Sequence, residues 1–224
     1  MAKPMASDPA GLAASACPHL VVRDALGPRI IADLLQYVAA RQADFVPSVV
    51  RNRETGERRV DYGVRNCVSL PDLGPFRAPF EAFVRGMIPA ARAQLAASET
   101  ALEPKDFEVV AYRDGNSFAA HIDTNEKRHK VRVLSCVYYF AVTPRRFRGG
   151  ELRLYGMPTL SAAKTGQVPF VDVMPETDSM VVFPSWLRHE VLPVHVPSGD
   201  WPDGRFTLNC WLHRAAPSAQ ASAS

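Results

Sequence analysis

The spacing of apolar residues in the first half of the chain predicts two amphipathic helices, one from Gly27 to Gln42 and one from Pro75 to Ala97. In each segment, apolar side chains recur three or four residues apart and form one stripe. The stripes consist of Ile31, Leu34, Leu35 and Val38 in the first helix, and of Phe76, Phe80, Phe83, Val84, Met87 and Leu95 in the second. Pro28 suits a first helical turn, whereas Pro89 should kink or restart the second helix.

Most of the remaining chain consists of short strand-like runs that are separated by turn residues. The runs read VDYGVRNCVSL, FEVVAYRDG, VRVLSCVYYFAV, ELRLYG, PFVDVM, SMVVFP and RFTLNCWLH. Two helices followed by many strands favour an antiparallel sandwich or barrel with the helices on one outer face. The predicted fold is therefore mainly β with flanking helices (α+β): a double-stranded β-helix, or jelly roll, with N-terminal helices packed on the outer face of its major sheet.

The composition indicates a single domain, because 224 residues with 47% hydrophobic content provide one substantial core. We expect this domain to span residues 17–214, with a helical support over 17–104 and a jelly-roll core over 105–214. Residues 1–16 and 215–224 lack the large apolar side chains that would offset the entropy cost of ordering. Both ends are therefore predicted to be mobile tails.

Charge and cysteine content exclude several classes of protein. A formal net charge of +3 is too small to indicate nucleic-acid binding, and no apolar run approaches the roughly 18 residues of a membrane span. The cysteines lack CxxC spacing, and most lie in apolar runs, where a thiol usually serves as a small core residue. They are Cys17, Cys67, Cys136 and Cys210. We expect a cytoplasmic protein with no membrane and no nucleic-acid partner.

Candidate metal chemistry begins in the run FAAHID, where His121 and Asp123 are two residues apart. In an extended segment such residues point to the same side, so an imidazole and a carboxylate can bind one ion. His189, in the strand-like segment HEVLPV, is the best candidate for a third ligand. Two histidines and one carboxylate form the site of non-haem Fe(II) oxygenases. A lone HxD also arises by chance, so an ordinary core histidine is the alternative.

The run RFTLNCWLH adds a second chemical feature. Strand alternation places Arg205, Thr207, Asn209 and Trp211 on one face, and Phe206, Leu208, Cys210 and Leu212 on the other. If the apolar face packs on the helices, Arg205 points into the barrel, where an unpaired guanidinium is costly. A dicarboxylate cofactor would supply its counter-charge. A structural salt bridge to a protein Asp or Glu is the alternative.

From about Cys17 to His213 the chain resembles the Fe(II)/2-oxoglutarate-dependent oxygenases, specifically the prolyl hydroxylase branch. The segments that carry the resemblance are AYRDGNSFAAHID, RVLSCVYYF, FRGGELRLYG, HEVLPV and GRFTLNCWLH, in this order. The resemblance implies Fe(II), 2-oxoglutarate and O2 as cofactors, with ascorbate as an accessory candidate. It makes His121, Asp123 and His189 the iron ligands. For the cofactor site we select Arg205, Tyr139, Tyr112 and Asn209, although HVPSGDWPDG resembles an inserted turn ahead of Arg205.

Basic residues cluster in two places that could affect substrate binding. We expect a hairpin in which the exposed arginines are Arg51, Arg53, Arg58, Arg59 and Arg65; a second cluster consists of Lys127, Arg128 and Lys130. Together they would form a positive rim that attracts an acidic peptide or protein, unless they are only solvated surface charge. As candidate substrate residues we select Arg58, Arg59, Arg132 and Trp211.

The resemblance implies hydroxylation of a C–H bond with release of succinate and CO2. A prolyl residue in a protein or peptide is the expected substrate. Two alternatives stay open: hydroxylation of a small molecule, such as a free amino acid or a natural-product precursor, and a non-catalytic metal-binding jelly roll. A free amino acid would need a clamp for its own carboxylate and amine inside the pocket, whereas a peptide needs an open groove.

Overall fold

The computed structural model describes residues 17–51, 55–95, 101–124, 132–157 and 168–215. The expected tails lie outside this part of the chain, apart from Ala215, whose amide donates a hydrogen bond to the carbonyl of Ala101. Among the described residues, no helix is long and apolar enough to cross a membrane. All four cysteines are buried and carry free thiols. The domain boundaries and the cytoplasmic location stay predictions.

Two helices support the fold, α1 (Pro28–Ala40) and α2 (Arg77–Leu95), each within two residues of its predicted ends. Pro28 occupies the first turn of α1, where its missing N–H leaves no hydrogen bond unmade. Pro89 lies inside α2 without ending it, so the expected restart is wrong. The apolar stripes of both helices pack against the sheet and are buried or partly buried there.

The strands are numbered along the chain. They are β1 (Leu20–Arg23), β2 (Val46–Pro47), β3 (Val49–Arg51), β4 (Arg58–Val60), β5 (Val68–Leu70), β6 (Leu102–Tyr112), β7 (Phe118–His121), β8 (Arg132–Phe140), β9 (Arg148–Gly149), β10 (Leu152–Tyr155), β11 (Phe170–Val173), β12 (Ser179–Pro184), β13 (His189–Val191), β14 (Val194–His195) and β15 (Arg205–Arg214). The long apolar runs of the sequence correspond to the long strands, and the shortest strands were not predicted.

Antiparallel pairing joins most strands into two facing sheets. The major sheet has the order β1-β12-β8-β15-β6-β5-β2, and the minor sheet has the order β11-β10-β13-β7. β3 pairs with β4, and β9 pairs with β14, as separate two-stranded ribbons. This arrangement confirms the predicted jelly roll with its helices on the outer face of the major sheet.

Two cores flank the major sheet, and β15 contributes to both. Phe206, Leu208, Cys210 and Leu212 are buried with the helices on the outer side, as the alternation predicts. The second core lies between the sheets and includes Tyr112, Tyr139 and Leu154. The opposite face of β15, which begins with Arg205, therefore faces the interior of the barrel. This face supplies the polar side chains of the candidate site.

The segment 195–204, which we expect to be an inserted turn, lies directly before β15. A short 3-10 helix, Trp201–Asp203, lies within it, and the indole N–H of Trp201 donates to the carbonyl of Val38 in α1 at 3.1 Å. Trp201 also packs edge-on against Phe206, with 5.6 Å between the ring centroids. In the strand that follows, Arg205 lies opposite Tyr112 of β6.

Candidate metal and cofactor site

His121, Asp123 and His189 lie together at one end of the minor sheet. His121 ends β7 and pairs directly with His189, which begins β13, and Asp123 follows two residues after His121. Their ligand atoms all lie within 4.8 Å of one another. The Nε2 atom of His121 is 3.4 Å from Oδ1 of Asp123, and Nε2 of His189 is 3.6 Å from Oδ2. The three side chains therefore converge on one small volume.

Backbone carbonyls fix the orientation of both imidazoles. Nδ1 of His121 lies 2.8 Å from the carbonyl oxygen of Ala119, and Nδ1 of His189 lies 2.8 Å from that of Leu187. A carbonyl oxygen only accepts hydrogen bonds, so Nδ1 carries the proton in each ring. In the neutral form of each ring, Nε2 then keeps a lone pair that faces the cluster. This is the tautomer that metal-binding histidines need.

Protonation states also suit a cation. Burial, together with the nearby His121, lowers the pKa of His189 to about 4, so its imidazole is neutral at neutral pH. Burial by itself would raise the pKa of the Asp123 carboxyl. The neighbouring histidines and a hydrogen bond from Ser135 outweigh burial, so the pKa of Asp123 lies below its usual range. Two neutral imidazoles and one carboxylate are the donor set preferred by non-haem Fe(II).

Asp123 has hydrogen-bond partners that the sequence analysis missed. The hydroxyl of Ser135 donates to Oδ2 at 2.6 Å, and the indole N–H of Trp211 donates to the same oxygen at 2.8 Å. Trp211, selected above as a substrate residue, therefore contacts the candidate metal ligand. Both donors are on inward-facing positions of β8 and β15, which is the only signal that the sequence carries for them.

Arg205 lies in the interior of the barrel and is only 2% exposed. Its guanidinium carbon is 4.7 Å from the ring centroid of Tyr112 and 5.0 Å from that of Tyr139. Gly150 packs so closely that a Cβ atom there would lie 2.7 Å from Cδ of Arg205. Glycine at this position thus leaves room for the arginine side chain, and its φ of +72° suits glycine as well.

Several buried polar atoms around Arg205 have no hydrogen-bond partner among the described residues. They are Nε and Nη1 of Arg205, the hydroxyl oxygens of Tyr139 and Thr207, and Oδ1 of Asn209. Burial raises the pKa of Tyr139 to about 12, against the opposing charge of Arg205, so its hydroxyl stays protonated and can donate. Buried polar groups are rarely left unpaired in a protein. A cation and a hydroxyl donor at one place fit the carboxylate of a bound ligand.

The candidate substrate residues lie in different surroundings. Arg58 is exposed on β4, and exposed Arg59 forms an ion pair with Asp61 at 2.7 Å. Arg132 forms an ion pair with Asp106 at 2.6 Å and covers the ring of Trp211, with 4.0 Å from its guanidinium carbon to the ring centroid. The second basic cluster and Arg53 lie outside the described residues, and of Arg51 only the backbone is described.

The prediction that Arg65 is an exposed arginine of the hairpin is wrong. Its side chain is 11% exposed and forms an ion pair with Glu108 at 2.9 Å. The carboxylate of Glu108 outweighs the effect of burial and holds the pKa of Arg65 above its usual value. The guanidinium carbon of Arg65 lies 5.0 Å from the ring centroid of Phe118. The ring of Phe118 in turn stacks on His121, with 3.6 Å between the ring centroids. A backbone bridge between Arg65 and Phe118 draws the arginine inward.

The part of the chain that forms this site is similar to a known family. Residues 107–213 match the family model of the 2OG-Fe(II) oxygenase superfamily. This part of the chain, which carries the motifs quoted above, is similar to that superfamily. The matched region contains all three converging side chains and Arg205. Fe(II), 2-oxoglutarate and O2 are the cofactors that this family implies.

Several proteins that resemble this chain are named as hydroxylases. An uncharacterized PKHD-type hydroxylase of Synechocystis is 31% identical over 131 residues, which cover 58% of this chain but only 43% of that protein. A prolyl-4-hydroxylase of Pseudomonas putida shares the fold, with a TM-score of 0.61, 20% identity, and 90% and 95% of the two chains covered. A Trichoplax adhaerens prolyl hydroxylase, solved with a peptide fragment of hypoxia inducible factor, gives a TM-score of 0.62, 18% identity, and 90% and 86% coverage.

Proposed function

We propose that the protein is an Fe(II)- and 2-oxoglutarate-dependent dioxygenase that hydroxylates a C–H bond and releases succinate and CO2. The observation that carries this proposal is the guanidinium of Arg205, whose Nε and Nη1 have no hydrogen-bond partner among the described residues. It lies inside the same barrel as the cluster of His121, Asp123 and His189. The cluster offers the ligands of non-haem Fe(II) with positions left open. The guanidinium offers a counter-charge for the distal carboxylate of 2-oxoglutarate.

Each residue of the site has a separate task in this proposal. Bound Fe(II) would supply the oxidation chemistry that uses O2 and 2-oxoglutarate. The free Nε2 atoms of His121 and His189 and the ionised Asp123 hold the metal. Arg205 and the protonated hydroxyl of Tyr139 hold the far end of the co-substrate and thereby orient it. Buried apolar residues between the sheets exclude water from the site.

We further propose that the substrate is a prolyl residue in a protein or peptide. The likeness in fold to prolyl hydroxylases, one of them solved with a peptide, supports this choice. A backbone hydrogen bond of 2.8 Å from Ala119 of β7 to Val64 holds the base of the β3–β4 hairpin beside the strand that carries His121. Exposed Tyr62 and the exposed arginines Arg58 and Arg59 lie in the chain segment that leads to Val64.

A free amino acid is the second candidate substrate, because Arg65 and Glu108 offer one charge of each sign close to Phe118 and His121. Such a pair could bind the carboxylate and the amine of an amino acid. However, the two side chains already neutralise each other, unlike Arg205. This difference favours the peptide over the free amino acid.

Turnover measurements with the two kinds of substrate test the proposal. The purified protein with Fe(II), ascorbate and 2-oxoglutarate should produce succinate, and peptides from a treated lysate should gain about 16 Da, the mass of one oxygen atom, on a prolyl residue. Asp123→Ala is the control, because it removes a ligand and should abolish both signals. Hydroxylation of free amino acids but not of peptides would select the second candidate. Metal binding without any succinate would overturn the enzymatic proposal.

A further inference from the structure

The carboxylate of Asp123 is held by two donors that belong to the major sheet. Ser135 of β8 and Trp211 of β15 lie directly opposite each other in the sheet and both donate to Oδ2, at 2.6 and 2.8 Å. A carboxylate oxygen has two lone pairs for hydrogen bonds. Oδ2 is therefore fully used, and Oδ1 is the oxygen that remains free on the side of His121.

Trp211 is in turn held by an ion pair at the edge of the barrel. The guanidinium of Arg132 lies over the indole ring, with 4.0 Å between its carbon atom and the ring centroid. Both Nε and Nη2 of Arg132 donate to Oδ2 of Asp106, at 3.2 and 2.6 Å. A continuous series of contacts thus runs from Asp106 through Arg132 and Trp211 to Asp123.

An irregularity in β6 brings Asp106 to this place. In the pairing of β15 with β6, Asn209 lies opposite Glu108, and Trp211 lies opposite Lys105, so β6 contains one residue more than β15 between these pairs. Asp106 is in this bulge and has a φ of +54°, a conformation that Asp adopts more readily than most residues. The bulge turns its carboxylate toward Arg132 and toward His213, whose Nε2 is 3.1 Å away.

We propose that Asp106 and Arg132 are positioning residues for the metal site, which they influence through Trp211 and Asp123. This inference rests on the proposed function, because it assumes that Asp123 binds the metal. The ion pair is partly exposed, with side-chain exposures of 46% for Asp106 and 25% for Arg132. Exposed ion pairs contribute little to stability. In contrast, replacing a residue that orients a metal ligand commonly weakens metal binding by about 10- to 100-fold.

Titration of Mn(II) into the metal-free protein, followed by calorimetry, tests this inference without relying on turnover. Trp211→Phe keeps a ring beneath Arg132 but removes the N–H, so we expect Mn(II) to bind about 10- to 100-fold more weakly. Asp106→Asn tolerates the positive φ but removes the charge, and it should weaken binding about 3- to 10-fold. The exposed pair of Arg23 and Glu176 supplies the matched control, because Glu176→Gln should leave Mn(II) affinity unchanged.

The double variant separates positioning from a general effect on structure. If Asp106 acts through the indole N–H, Asp106→Asn should have no further effect on Mn(II) affinity in the Trp211→Phe background. Additive effects of the two changes would overturn the inference, and so would wild-type affinity in both single variants with unaltered melting temperatures. Should Asp106→Asn fail to fold, Arg132→Gln breaks the same ion pair from β8. A wild-type protein that binds no Mn(II) would instead contradict the proposed function itself.

Discussion

Two arginines with little solvent exposure, Arg65 and Arg205, differ in how their charge is balanced. Arg65 is 11% exposed and is paired with Glu108 at 2.9 Å. Arg205 is 2% exposed, yet two of its nitrogen atoms have no partner among the described residues. Both guanidinium groups lie over aromatic rings, so their apolar surroundings are alike. Burial alone therefore does not identify a ligand site. The lack of a counter-charge within the described part of the chain does, because an unpaired buried charge is costly.

Replacing Arg205 with Ala should produce the largest effect. The distal carboxylate of 2-oxoglutarate would then be buried beside Tyr139 without a counter-charge, which costs about 3 to 5 kcal/mol of binding free energy. We expect the affinity for 2-oxoglutarate to fall at least about a hundredfold, as measured by calorimetry on the Mn(II) form. Mn(II) affinity should be unchanged, since the ligands lie on other strands. Equal 2-oxoglutarate affinity in variant and wild type would assign the cofactor to another basic residue.

Glu108→Gln should lower the stability of the protein but leave its affinity for 2-oxoglutarate nearly unchanged. The change leaves the guanidinium of Arg65 without its carboxylate partner, so we expect the free energy of unfolding to fall by about 2 kcal/mol. The loss is smaller than for a fully buried pair, because both side chains keep some exposure. Urea denaturation measures this loss, and 2-oxoglutarate affinity should stay within about twofold of wild type. The double change of Arg65→Met with Glu108→Leu should recover stability. A large loss of 2-oxoglutarate affinity in Glu108→Gln would contradict the view that Arg205 binds the cofactor whereas Arg65 only stabilises the fold.

The sequence predicted more of the Arg205 region than of the Arg65 region, for a physical reason. In β15 a strict alternation of apolar and polar residues places Arg205 on the inner face, and the long strand keeps that register. Arg65 lies in a segment rich in charge, where local composition predicts exposure. Its burial depends on a bridge to Phe118 and an ion pair with Glu108, which are distant in sequence.

In the candidate metal site, too, the sequence did not predict contacts between residues that are distant along the chain. His121, Asp123 and His189 were selected from residue type and strand spacing, and the structure brings them together. Ser135 and Trp211 were not predicted as partners of Asp123, because their contact depends on the pairing of β8 with β15 and on where the chain turns after β7. Local patterns specify which face a side chain occupies, whereas contacts across sheets require the fold.

Arg205→Lys should have a moderate effect on the affinity for 2-oxoglutarate. An ammonium group keeps the charge but loses the planar fork that binds two carboxylate oxygens, so we expect about a tenfold loss of 2-oxoglutarate affinity, between wild type and Arg205→Ala. The matched change Arg65→Lys should alter the melting temperature but not the calorimetric affinity for the cofactor. If Arg205→Lys binds as weakly as Arg205→Ala, charge is not the main contribution of this residue.

The smallest expected effect concerns Arg58 and Arg59, the exposed arginines of the hairpin, of which Arg59 also pairs with Asp61. Arg58→Gln with Arg59→Gln should raise the apparent KM for an acidic protein substrate a few-fold at low salt, because long-range attraction would weaken. The difference should shrink at about 0.5 M salt, where screening is strong. Uncoupled turnover of 2-oxoglutarate should not change, because neither residue belongs to the buried site. The control is Arg23→Gln with Arg29→Gln, two exposed arginines at β1 and α1. Equal KM values for both double variants and wild type would mean that the hairpin charges are only solvated surface.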